Sequence, residues 1–187
     1  MKISKTSSKK TGASLSGAPK KSRTAPVKAA AEPAMRNRKA AVRNSTIHGL
    51  GVVARIALAA GERVCEYKGE RIGWPEALRR HPHDPEQPFH TFYFSLEDDT
   101  VIDGNVDGDF SRFMNHSCEP NCEAEMVEGK NGLRVFIVAL RDIAAGEELV
   151  YNYGLTLDER YTPTLKKQFA CHCGSAKCRG TMLSPKR

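Results

Sequence analysis

Near the C-terminus, Cys171, Cys173 and Cys178 place three thiols in a C-x-C-x4-C spacing, close enough in the chain to share one metal ion. A closed structural zinc site takes four soft ligands in a tetrahedron, so the fourth must come from elsewhere in the fold or from His172. The remaining cysteines are Cys65, Cys118 and Cys122, and the opening Met1-Lys2-Ile3-Ser4-Lys5 leads into no apolar block that would read as an export signal. Reduced thiols and a clustered metal site are therefore expected rather than disulfides. Two further stretches gather reactive side chains: residues 112–122, with the adjacent Asn115 and His116, and residues 146–154, with Tyr151 and Tyr153. A third, residues 45–54, carries Gly49 and Gly51 ahead of the apolar Val52-Val53-Ala54. Glycine there either lets main chain lie against a ligand or makes a tight turn before a strand.

The elements that must hold these groups are short. From Ala41 onward, runs rich in β-branched and aromatic residues alternate with Gly-containing turns and show little sustained helical periodicity, which predicts a mostly β domain. Residues 52–56 and 63–67 flank a hairpin-like connection at Ala59-Ala60-Gly61-Glu62, and residues 70–72 would extend the same sheet. Residues 74–80 form the best short helix, with Pro75 tolerated in its first turn and the run from His81 to Pro85 ending it. Residues 91–96, 100–103, 121–127, 133–140 and 148–153 supply further strands. Glu128-Gly129-Lys130-Asn131-Gly132 is a strong turn signal between two of them.

A chain of 187 residues with 40% apolar content is long enough for one domain with a real core. No apolar run is long enough to span a membrane. The net charge of +7 is unevenly spread: residues 1–40 hold eleven of the 29 Lys and Arg but only Glu32 of the 22 acids. That segment, rich in Lys, Ala, Ser and Pro and without aromatics, cannot bury enough apolar surface to offset its ordering entropy, so it reads as disordered. Lys9-Lys10 and Lys20-Lys21-Ser22-Arg23 suit the phosphates of nucleic acid, a receptor-read address, or plain solvation. In the folded part, acids gather around residues 97–99, 103–109 and 119–128, where they either attract a basic polypeptide or simply face solvent.

Taken together, Arg112-Phe113-Met114-Asn115-His116-Ser117-Cys118, the later Glu147-Glu148-Leu149-Val150-Tyr151-Asn152-Tyr153, and the closing Cys171-His172-Cys173 with Cys178 resemble a known signature. In order, spacing and residue type they look like SET-domain protein-lysine methyltransferases that carry a cysteine-rich post-SET segment. The resemblance covers residues 41–182. It implies small twisted β-sheets with a pseudoknot-like crossing near Tyr153, and a C-terminal post-SET zinc cluster. It divides the chain into a disordered basic tail (1–40), a SET domain (41–160) and a post-SET segment (161–187).

The same resemblance implies S-adenosylmethionine as methyl donor, held in a compact bent form. Main chain around Gly49 and Gly51, together with Arg112, Asn115 and His116, would lie against it. Tyr153 matches the family's catalytic tyrosine, and Tyr67 a channel tyrosine whose hydroxyl contacts the amine. Cys118 would complete the zinc site with Cys171, Cys173 and Cys178, leaving His172 out. Some members have a tyrosine two residues after the position of Cys122; here it is Ala124, which leaves the number of methyl groups added open.

Lysine titrates near pH 10.4, yet the nucleophile must be the neutral amine. Desolvation and a nearby positive charge, which the sulfonium supplies, both favour that form, so no strong general base is required. The implied substrate is a lysine in a basic protein, a histone or another DNA-associated protein, with nucleic acid as a partner of residues 1–40 and those residues' own lysines as candidate acceptors. A reducing intracellular compartment follows, either cytoplasm or nucleus and chromatin, or a secreted effector reaching a host's chromatin. The rival reading is a zinc-stabilised module that binds nucleic acid or chromatin and whose SET-like pocket is inactive.

Overall fold

The computed structural model describes residues 34–81 and 91–186. In chain order these form β1 (Ala40–Asn44), β2 (Leu50–Ala54), β3 (Arg63–Glu66), β4 (Glu70–Gly73) and α1 (Trp74–Arg80). There follow β5 (Tyr93–Ser95), β6 (Thr100–Asp103), a 3-10 turn (Phe110–Phe113), β7 (Asn115–His116), β8 (Cys122–Gly129), β9 (Gly132–Ala139), β10 (Glu148–Tyr151) and α2 (Pro163–Gln168). The strands make two sheets: one runs β1-β2-β10-β8-β9-β3, with β7 added against β10, and the other runs β4-β6-β5.

Where structure follows local sequence, expectation and fold agree. Helix α1 spans the expected residues with Pro75 in its first turn, and Glu76 accepts hydrogen bonds from Arg79 and Arg80. β8 and β9 form an antiparallel hairpin registered from Cys122 opposite Ala139 to Gly129 opposite Gly132. Its turn needs a left-handed residue, which Gly132 supplies at φ +99°. Along β8 the exposed Glu123 and Glu125 alternate with the covered Cys122, Ala124 and Met126, the pattern of a strand with one wet face, and Glu128 is exposed out of phase where the hairpin turns.

Where partners are distant in sequence, expectation fails. β2 and β3 do not form the expected hairpin: β2 lies between β1 and β10, while β3 pairs with β9. The connection between them docks on a remote segment instead, with Leu58 and Ile143 exchanging backbone hydrogen bonds at 2.9 Å. The reason lies in β2, where Gly51, Val52 and Ala54 are buried and both edges require partners. β4 likewise does not extend the first sheet but joins β6. At Gly69 the chain passes so close to β6 that a Cβ would sit 2.4 Å from the Asp103 carbonyl oxygen.

β10 is the organising strand. It runs antiparallel to β2 and parallel to β7, pairing Val150 with Asn115 and Tyr151 with His116, and Tyr151 also pairs with Cys122. Asn121 completes this junction: its side-chain oxygen accepts from the Val150 amide at 2.9 Å, and its amide donates to Glu147 and to the Glu148 carbonyl.

Residues 34–40, assigned to the tail on sequence, are folded. The Met35 carbonyl accepts from Val42, the Asn37 side chain accepts from Lys39 and Ala40 and donates to the Val64 carbonyl, and Ala40 is fully buried. The expectation of a disordered basic tail otherwise concerns residues 1–33, which lie outside the described residues, as do Pro82 and Pro85 beyond α1. Among the described residues no helix is long and apolar enough to cross a membrane.

Candidate active site and metal centre

A cleft of about 1030 Å³ opens between the two sheets and the C-terminal segment. Gly49, Tyr67, Arg112, Asn115, His116 and Tyr153, far apart in sequence, all line it. Gly51 does not. A Cβ at Gly51 would lie 2.3 Å from Glu148 Oε1 and 2.9 Å from Ser45 Cβ, so this glycine makes room for a contact between those two side chains. Gly49, at φ +44°, has nothing within 4 Å of where a Cβ would be. Its main chain stands open to the cleft.

Asn115 is held rigidly from behind. Its side-chain amide faces four acceptors, Ser45 Oγ, the Leu50 carbonyl and Glu148 Oε1 at 3.0 Å and the His48 carbonyl at 3.3 Å. Ser45 Oγ in turn donates to Glu148 at 2.7 Å and accepts from the Ile47 amide. The Asn115 side chain thus fastens the β1–β2 turn to β10, leaving main chain as what β7 presents to the cleft. Ser45 and Glu148 were not among the residues the sequence singled out. Their only signal is a polar pair flanking glycines, which needs the fold to become meaningful.

His116 is nearly fully buried and ties three features together. Its Nδ1 accepts the Tyr153 backbone N–H at 3.1 Å, which places any proton of the neutral ring on Nε2, and Nε2 lies 3.6 Å from Cys118 Sγ. Burial first, then the Arg179 charge, bring its pKa down to about 4.

Tyr153 donates from its hydroxyl to the Met114 carbonyl at 2.8 Å, and Tyr67 to the Phe92 carbonyl at 2.9 Å. Rings of Tyr67, Phe94, Tyr151 and Tyr153 follow one another at centroid separations of 5.0 to 6.4 Å, forming a continuous aromatic wall. Burial pushes both Tyr67 and Tyr153 well above the ordinary phenol range, with the neighbouring Tyr153 adding to the first and Glu148 to the second. Both remain neutral phenols. Arg112 donates to the Gly104 carbonyl at 3.0 Å and lies over the Phe113 ring at 4.7 Å, while its buried Nε has no hydrogen-bond partner. An orphaned donor on a cleft wall is what a missing polar ligand leaves behind.

Cys118, Cys171, Cys173 and Cys178 converge so that their sulfurs all lie within 4.8 Å of one another. Four thiolates about 2.3 Å from a zinc ion stand roughly 3.8 Å apart in a tetrahedron, and Cys118 Sγ to Cys171 Sγ is 3.8 Å. Backbone amides of Arg179 and Gly180 point at the Cys118 and Cys178 sulfurs at 3.4 Å, the arrangement that stabilises thiolates. Burial of Cys173 favours the thiol, but hydrogen bonds from the Cys118 backbone and the Ser175 side chain outweigh it and bring its pKa to about 5. The donor set fits zinc. His172 is exposed and outside this cluster.

Cys65 and Cys122 sit apart in the main core, where burial pushes both thiols up. Among the described acidic residues, Glu97 and Asp99 on the β5–β6 turn reach the cleft; Glu125 instead pairs with Arg63, and Glu119 with Lys177.

Residues 49–154 match the SET domain family. The chain is 38% identical over 137 residues to the "Histone-lysine N-methyltransferase, H3 lysine-4 specific" of Saccharomyces cerevisiae, covering 73% of this chain and 12% of that protein. It is 36% identical over 135 residues to the "Histone-lysine N-methyltransferase trithorax" of Drosophila melanogaster, covering 72% of this chain and 3% of that protein. The chain therefore spans a small fraction of these relatives' length. Among solved structures, "ctPRC2 in an autoinhibited conformation bound to S-adenosylmethionine" superposes with a TM-score of 0.58 at 30% identity, covering 62% of this chain and 15% of that one. With a family match over more than half its length, on the strands that build the cleft, this chain belongs to the SET-domain family.

Proposed function

We propose that this chain transfers a methyl group from S-adenosylmethionine to the side-chain amine of a lysine in a histone-type protein. One observation carries the reading: two tyrosines, the buried Tyr67 and the half-buried Tyr153, share a single aromatic cleft with the β7 main chain, their hydroxyls fixed on main-chain carbonyls. As neutral phenols they cannot act as strong bases. They can accept weak hydrogen bonds and fix directions, which is what an in-line transfer to an already neutral amine needs.

S-adenosylmethionine, when bound, supplies a methyl carbon on a positively charged sulfur. The open main chain at Gly49, the β7 strand of Asn115 and His116, and the orphaned Nε of Arg112 are the groups that would hold it. Tyr67, Phe94, Tyr151 and Tyr153 would enclose the lysine stem. Exclusion of water there favours the uncharged amine, and Glu97 and Asp99 would draw the charged side chain in from solvent. Cys118, Cys171, Cys173 and Cys178 would hold zinc as a structural ion closing the C-terminal wall. The relatives named as histone-lysine methyltransferases support a histone lysine as acceptor and chromatin as the place of action.

The test is transfer of labelled methyl from S-adenosylmethionine to histone H3 peptides by zinc-loaded protein, beside a Tyr153→Phe variant. Binding of the donor without transfer to any histone peptide would overturn the proposal.

A further inference from the structure

We propose that the outward face of the β1–β2 hairpin is a nucleic-acid interface, on which Arg36, Arg38, Arg43 and Arg55 dock the phosphates of a duplex without reading its sequence. The surface is separate from the tyrosine-lined cleft and adds a partner to the protein.

The first observation is placement. β1 and β2 pair antiparallel, with Ala41 opposite Val53 and Arg43 opposite Gly51. Ala40, Val42, Val52 and Ala54 belong to the main core, so by the alternation of a strand the odd-numbered residues stand on the other face. Arg43 is one of them. Arg55 follows Val53 by two residues, just past the end of β2, and Arg36 bridges to Ala41 from the chain that runs outside β1. Arg38 sits in the turn that joins this outer chain to β1, a turn closed by the Asn37 amide on the Ala40 carbonyl at 2.9 Å. All four arginines are exposed. From Arg43 to Arg55 the stripe crosses one strand and four residue steps, roughly 13 Å.

The second is charge. No Asp or Glu occurs between Glu32 and Glu62. Among the described residues none of these four arginines forms an ion pair, whereas Arg71, Arg134 and Arg141 are taken up by Asp98, Glu66 and Glu147. Acids beside the stripe are already engaged: Glu62 pairs with Lys39, and Glu148 accepts from Ser45 and Asn115. Arg43 and Arg55 each give one nitrogen to main chain, to the Val42 carbonyl at 2.8 Å and the Asn37 carbonyl at 2.6 Å. Those bonds set the guanidinium groups in place and leave the rest of each fork for an external acceptor.

The third is the choice of partner. A duplex carries one negative charge per roughly 1.7 Å of its axis, so a length equal to this stripe presents about eight, and the planar arginine fork fits phosphate oxygens. No Phe, Trp or Tyr lies between residues 34 and 66. The segment that builds the face therefore offers no ring on which an unpaired base could stack, which favours duplex backbone over single strands. The same hairpin reaches the cleft through its turn, at His48, Gly49 and Leu50. Five residues separate Leu50 from Arg55, so docked phosphates lie within about 17 Å of the cleft lining along β2. The histone-type acceptor proposed above would be met on such a duplex.

The experiment titrates the full zinc-loaded chain, without methyl donor, against a fluorescent DNA duplex of about 20 base pairs at salt between about 50 and 200 mM. Beside it stand an Arg36→Gln/Arg38→Gln/Arg43→Gln/Arg55→Gln variant and a variant with Lys at the same four positions. Residues 1–33 are identical in all three, so their own contribution cancels. The Gln variant is expected to bind at least about 100-fold more weakly at low salt, with the slope of log affinity against log salt shallower by about 3 to 4, as for four lost phosphate contacts. The Lys variant keeps the charge and should keep the slope, and bound zinc should match the unmodified chain in both. Photo-cross-linking of the unmodified chain to the duplex checks the same face without substitution and is expected to label peptides within residues 34–57. Cross-links confined to other peptides would overturn the inference, as would unchanged affinity and slope in the Gln variant. Tighter binding of a single strand of equal length would also overturn it, and displacement of the duplex by polyglutamate charge for charge would make an acidic protein the partner instead. Because no donor is present, a failure of methyl transfer would leave this inference standing, and a failure of duplex binding would leave the methyltransferase reading standing.

Discussion

On one side of the cleft, Tyr67, Phe92 and Phe94 stand on strands and turns continuous with the packed core, where Tyr67, Leu96, Ile102 and Val135 form one cluster. That side is braced by Arg80, which bonds Glu70 at 2.7 Å and the fully buried Asp103 at 2.9 Å. On the other side, Leu155, Phe169 and Cys171 belong to a C-terminal segment with its own small cluster of Leu157, Leu165 and Leu183. That segment is held together by isolated bridges, Leu155 with Leu183 and Ala170 with Thr181, and meets the main sheet at the four thiols. The first wall is maintained by burial and pairing, which need no ligand. The second has too little apolar surface to be fixed by burial alone, so a metal is what can pin it. His116 bridges the two, one nitrogen on the Tyr153 backbone and the other toward Cys118.

The sharpest way to break this comparison is to remove the metal. Chelation is expected to abolish transfer and to raise hydrogen exchange across residues 155–183 while β8 and β9 stay protected; uniform loss of protection in both regions would erase the distinction. Cys173→Ser should lower bound zinc and activity together. Because the ligands must be thiolates, zinc should also be released as pH falls, which a metal indicator can follow.

Next in size is Tyr153→Phe, expected to lower kcat by about 10²- to 10³-fold with donor affinity nearly unchanged, as for loss of one preorganised polar group in a closed site. Single-turnover rates and calorimetry separate the two effects. Arg80→Met removes the guanidinium that Glu70, Glu76 and the buried Asp103 share and should lose about 3 kcal/mol in urea unfolding, with zinc content intact. A matching loss of zinc would mean the walls are not independent. Smallest is Gly51→Ala, expected to lose about 1–2 kcal/mol because the added methyl meets Glu148 and Ser45. Its thermal midpoint should drop, and donor affinity should weaken modestly through the displaced β1–β2 turn.

Local features were legible in the sequence wherever a short stretch carried its own instructions. Helix α1 needed Trp74-Pro75-Glu76 and a following break, and the β8–β9 hairpin needed alternation plus a glycine able to take positive φ. Cysteine spacing announced a metal but only three of its ligands. The fourth, Cys118, came from family resemblance, and so did the roles of Tyr67 and Tyr153. Structure brings Cys118 within reach of the other three and sets both tyrosines in one cleft, while it places Gly51 behind the cleft wall and turns the Asn115 side chain to a clamp.

By itself the sequence determined short strands, a reactive residue inventory, a clustered set of thiols and a strongly basic N-terminal segment, because each of these depends on neighbours along the chain. Which strands pair was decided only in three dimensions. β10 meets β2 and β7 across long stretches of chain, and that pairing alone sets His116 between Tyr153 and Cys118. A periodic pattern states that a strand must be covered; it carries no information about which distant strand will cover it.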